Sequence, residues 1–108
     1  MKRSRVNPVS KKRRDQREAR DECRRVVLAR DLVCRGFGKT PVECRRIVTD
    51  VHELGRGAYR QSCWLDPDLC IGLCHWCHRW VTDNPQAAVE AGLAMWGWQI
   101  EELLASRH

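Results

Sequence analysis

Residues 74–85 read Cys74-His75-Trp76-Cys77-His78-Arg79-Trp80-Val81-Thr82-Asp83-Asn84-Pro85, and this stretch decides the fold. Two cysteines separated by two residues at the opening of a helix present both thiols on one side, which is half of a tetrahedral metal site. The other half must come from elsewhere in the chain. Cys34 and Cys44 bracket a loop with two Gly and a Pro, able to fold back on itself. Four thiolates from Cys34, Cys44, Cys74 and Cys77 then make a closed site suited to structural Zn²⁺. The rival reading of Cys-x-x-Cys, a thioredoxin-like redox pair, wants a βαβ context that this sequence lacks.

Such a staple matters because the chain is short. At 108 residues it is expected to hold one small core, of the size that metals often reinforce. Charged residues make up 31%, and no apolar run approaches the ~20 residues of a spanning helix, so a membrane protein is not expected. The basic start has no apolar stretch behind it and does not read as a secretory signal. The expected location is the cytoplasm, where clustered cysteines are more often metal ligands than disulfides.

The net charge of +6 is unevenly spread. Residues 1–30 hold 12 Lys+Arg and 4 Asp+Glu, whereas residues 31–108 hold 8 and 10. This divides the chain into a basic arm and helix, 1–30, and a stapled domain with a C-terminal helix or tail, 31–108. A basic block beside a slightly acidic remainder points to a polyanion, since each phosphate neutralised releases a counterion. Lys11, Lys12, Arg13 and Arg14 are the candidate contacts and DNA the expected partner. The plainer alternative is a solvated tail.

Along the chain, residues 1–9 read as extended. Ser10 reads as an N-cap and Lys11 to about Val33 as one helix. Ala19, Cys23, Val26, Val27 and Leu28 supply its docking face, and Asp21 with Arg25 an i, i+4 pair. The β-branched run Ile47 to Val51 predicts a first strand, and Leu69 to Leu73 a second. Between them lies a long polar connection. Asp83-Asn84-Pro85 caps a short helix from Gln86 to Ala91 that Gly92 ends. The stretch from Ala94 onward fits strand, helix or docking tail. Cys23 and Cys70 read as core residues, while Cys63 sits in the long connection with exposure open to it. The five Trp suit either core filling or a partner surface.

His52 on the first strand and His78 after the Cys-x-x-Cys can converge in a strand–loop–strand–helix unit. A second, open metal site competes there with two ordinary histidines.

At these residues the chain resembles the HNH endonucleases, in the small cysteine-stapled form common in bacteriophages. The likeness is carried by Asp50-Val51-His52-Glu53-Leu54 and by the stretch from Leu65 to Pro85, and it extends to the front of the chain and on to about Leu93. It implies a small α+β fold, a ββα-metal unit with a four-cysteine zinc knuckle behind a basic N-terminal helix. It also implies a phosphodiester hydrolase that nicks or cuts DNA, acting in the host cytoplasm if phage-encoded.

Carried over by position, Cys34, Cys44, Cys74 and Cys77 match the zinc ligands. His52 and His78 match the ligands of a catalytic cation such as Mg²⁺, and Asp50 a group orienting the neighbouring histidine. Arg56, Arg60 and Arg79 would join the arm on the phosphate backbone. The family's general-base histidine is Glu53 here, its asparagine falls at Leu69 beside Asp68, and a further histidine at Thr82. Those departures support an alternative, a catalytically inactive DNA- or partner-binding module of a phage terminase or packaging complex.

Overall fold

The computed structural model describes residues 11–107, so the readings of residues 1–9 and of the Ser10 cap lie outside the described residues. The first helix, α1, runs Lys11–Arg30. It has no Gly or Pro, and most of its surface is solvated; only Cys23 and Val27 are buried along it. They meet Cys70 and the half-buried Val51. The docking face is narrower than its sequence suggests, since Leu28 is exposed. Arg25 pairs with Glu22 through an Nε–H bond of 3.0 Å, one helical turn away, rather than with Asp21.

The helix stops at Arg30 instead of continuing to Val33 because Asp31 turns inward. Its buried carboxylate accepts the Gly72 N–H at 2.8 Å and the Arg30 fork at 2.9 and 2.8 Å. Burial alone would raise this carboxyl. Arg30 and the Gly72 amide outweigh it and hold the group below the usual carboxylate range. Arg30 also donates to the Cys70 carbonyl at 2.7 Å, which locks the end of α1 to the sheet.

That sheet has two antiparallel strands, β1 (Asp50–Glu53) and β2 (Cys70–Leu73). Asp50 lies opposite Leu73 and His52 opposite Ile71. Every residue of β2 is buried, as expected of a short apolar strand covered on both faces. The first strand falls three residues later than the β-branched run predicts. Arg46, just before the run, adopts a left-handed φ of 69° and its carbonyl accepts from Cys34 N–H at 2.8 Å, so the chain enters the run from the cysteine loop and not from a strand. Ile47 is consequently exposed.

The long connection contains a helical turn, α2 (Arg60–Cys63), flanked by two 3-10 turns. This corrects the reading of Cys63, which is fully buried in the main core. After β2, helix α3 covers His75–Asp83 and α4 covers Pro85–Glu90. Pro85 at the first turn needs no N–H partner. Gly92, at φ 79°, ends α4, and the Leu93 N–H returns to the Ala88 carbonyl at 2.8 Å. The ambiguous tail is a helix, α5 (Gly97–Ala105), whose Ile100 is fully buried. Ile100 joins Leu54, Leu69, Leu73, Val81 and Leu93 in one core. No described helix is long and apolar enough to cross a membrane. The architecture is a small α+β fold whose sheet and α3 place two side-chain clusters side by side.

Candidate metal centre and adjoining histidine cleft

The first cluster is the sulfur set. Cys34 ends the chain's turn away from α1, Cys44 closes the loop, Cys74 caps α3 and Cys77 lies in its first turn. Their four sulfur atoms all fall within 4.8 Å of one another. A tetrahedral zinc with Zn–S near 2.3 Å puts sulfurs about 3.8 Å apart. The Cys74–Cys44 separation is 3.9 Å. The four residues can therefore hold one metal ion.

The surrounding backbone is arranged for thiolate charge. Cys34 Sγ accepts N–H groups from Gly36 at 3.3 Å and Cys74 at 3.1 Å, and Cys44 Sγ accepts from Arg46 at 3.3 Å. The left-handed φ of Arg46 accompanies that last contact, a strained conformation for a side-chain-bearing residue. Cys74 Sγ caps α3 by accepting from Cys77 N–H at 3.4 Å. Gly36 has no room for a side chain, because a Cβ there would stand 2.9 Å from Cys77 Sγ. Burial pushes Cys74 up, but amide donors from Cys77 and Arg45 outweigh it and bring this thiol down to about 7. Cys34 and Cys77 remain raised, chiefly by burial. Four sulfur ligands gathered this closely could share one metal cation.

The second cluster lies where β1 faces α3. His52 and His78 meet edge to face with ring centroids 5.1 Å apart. His78 Nδ1 stands 2.8 Å from Asp50 Oδ2. Burial would raise Asp50, yet its bonds to His78 and Thr49 hold it below the ordinary range. An ionised Asp50 makes His78 Nδ1 the donor of this hydrogen bond. Asp50 thus orients His78 across the sheet–helix junction, not its sequence neighbour His52.

His52 is 8% exposed. Burial, then the charge of a protonated His78, lowers it to about 4, although a bond to the Leu93 backbone works the other way. It is neutral at physiological pH. Its Nε2 is buried with no partner, a state shared among the described residues only with Trp64 Nε1.

Both rings line a cleft of about 320 Å³ together with Glu53, Arg56, Arg60 and Thr82. Glu53 borders the cleft, but its carboxylate also lies 3.8 Å from Arg20 of α1. Arg79 is exposed on α3 and is not part of the lining. Lys11, Lys12, Arg13 and Arg14 occupy the exposed first turn of α1, away from the lining. Leu69 is fully buried in the core, and Thr82 Oγ1 is occupied by the His78 carbonyl at 3.0 Å. Sequence reasoning missed Gly36, the Thr40 contact to Cys77 Sγ at 3.3 Å, and Arg20 against Glu53. Only Gly36 left a trace there, as one of the small residues of the Cys34–Cys44 loop. No family model, no curated protein and no solved structure matches this chain.

Proposed function

We propose that the chain is a metal-dependent DNA endonuclease of HNH type, with β1, β2 and α3 as its ββα-metal unit and the four-cysteine cluster as its structural zinc knuckle. The observation that carries this reading is the buried, unpartnered Nε2 of His52, a residue whose ring packs edge to face on His78 and which lines, with His78, a cleft with two arginines. A divalent cation bound by the two imidazoles would supply charge stabilisation for the phosphate and its leaving oxygen. Asp50 fixes the His78 ring, and the neutral state of His52 keeps its lone pair available. Arg56 and Arg60 bind and orient the phosphodiester, giving affinity with little base discrimination. Glu53 takes the proton of the attacking water or positions that water; the phosphorus–oxygen bond to water forms as the bond to the leaving oxygen breaks.

The second reading is the inactive zinc-stapled module that binds DNA or a phage packaging partner. The proximity of Glu53 to Arg20 favours it, because Arg20 competes with an attacking water for the carboxylate. Relaxation of supercoiled plasmid separates the two. Nicking that needs added Mg²⁺ or Mn²⁺ and disappears in His78→Ala is the expected result. No nicking with any divalent cation, from folded zinc-loaded protein, overturns the endonuclease reading.

A further inference from the structure

Helix α1 gathers four arginines on one face. At 100° per residue, Arg13, Arg17, Arg20 and Arg24 fall within an arc of about 60°. Asp15, Glu18 and Glu22 fall within a similar arc on another side. Lys11 shares that acidic side and Arg25 pairs there with Glu22, whereas the arginine arc itself contains no carboxylate. The arginine stripe borders the buried edge of the helix and faces Trp64, enclosing a groove of about 470 Å³. Asp21 also lines the groove, so four cations stand against one carboxylate.

Arg20 is the link to the rest of the molecule. Its guanidinium lies 4.1 Å over the Trp64 ring and 3.8 Å from Glu53, which itself borders the histidine cleft. The stripe is therefore continuous with the cleft. From Arg13 to Arg24 the helix rises about 16 Å, the length of roughly two to three phosphate-to-phosphate steps of about 7 Å along one strand of a duplex.

We propose that this face of α1, closed by Trp64, is a track for the phosphate backbone of duplex DNA leading into the histidine cleft. Evenly spaced arginines on a straight helix match a polymer of regular charge. The aromatic ring under Arg20 holds that guanidinium in place rather than offering an apolar anchor for a protein. The proposal deepens the endonuclease reading by naming the surface that delivers DNA, and it concerns binding rather than turnover.

The test is the salt dependence of duplex binding by the full chain, read by fluorescence anisotropy without added divalent cation so that nothing is cleaved. Arg17→Ala/Arg24→Ala removes two exposed stripe cations while sparing Arg20. Lys39→Ala/Arg45→Ala makes the same charge change elsewhere. Zinc content and thermal unfolding confirm that both variants are folded. The slope of log K against log salt should fall by about 1.8 for the stripe variant and stay near the natural value for the control. An unchanged slope in the stripe variant, or an equal fall in both, overturns the track. So does loss of a poly-glutamate probe with DNA binding intact, which would assign the stripe to an acidic protein. Binding through the stripe without nicking refutes the endonuclease and keeps the track; nicking with an unchanged slope does the reverse.

Discussion

Replacing His52 with Phe removes one buried titrating group while keeping a ring in its place, and this should change how stability depends on pH. The free histidine value is near 6.5, and burial beside His78 lowers His52 to about 4. Between those values the unfolded chain binds a proton that the folded chain refuses. Stability from this group is therefore complete above pH 6.5 and is lost as the pH falls toward 4. At pH 5 the loss amounts to about 2 kcal/mol, and about 3 kcal/mol once the pH is below both values. Acid also loosens thiolate–metal bonds, but equally in both proteins, so the difference between them isolates His52. Urea unfolding of zinc-loaded natural protein and His52→Phe from pH 8 to 5, with no added Mg²⁺, supplies the measurement. The gap between the two should shift against the natural protein by about 2 kcal/mol by pH 5. Parallel curves would refute the neutral, buried histidine on which the cation site depends.

Three further outcomes follow from particular contacts. Ile100→Ala, at a fully buried position of α5, should cost about 2–5 kcal/mol in urea unfolding; a smaller loss would mean that α5 does not complete the core. Gly36→Ala forces a methyl against Cys77 Sγ and should speed zinc loss to a chelator, whereas Lys39→Ala, at an exposed position of the same loop, should leave that rate unchanged. Glu53→Gln should lower plasmid nicking and Glu53→His should raise it near neutral pH, because histidine is the better-matched base; equal rates for all three would remove Glu53 from the reaction.

The parts of this fold that were legible in the sequence are those with a local signal. Pro85 and Gly92 punctuate α4, and the apolar run of β2 announces a covered strand. The Cys-x-x-Cys spacing put two thiols on one side of α3, and the loop from Cys34 brought the other two to them. What was not legible depends on contacts between distant residues. The β-branched run from Ile47 reads as a strand, but Arg46 just before it is turned left-handed and bonded to Cys34, so the ladder begins only at Asp50. Asp31 ends α1 through Gly72, 41 residues away. Asp50 reaches His78 over 28 residues, so adjacency to His52 misassigned its partner. Cys63 lacked a periodic neighbourhood, and only the helical turn of α2 carries it into the core.

The central claim is that Cys34, Cys44, Cys74 and Cys77 hold one structural zinc. Zinc-edge X-ray absorption on protein purified without added metal tests it most directly. The expected spectrum is that of one zinc per chain with four sulfur neighbours at about 2.3 Å. A metal-free protein that still unfolds cooperatively, or a zinc shell containing nitrogen or oxygen in place of sulfur, would contradict it.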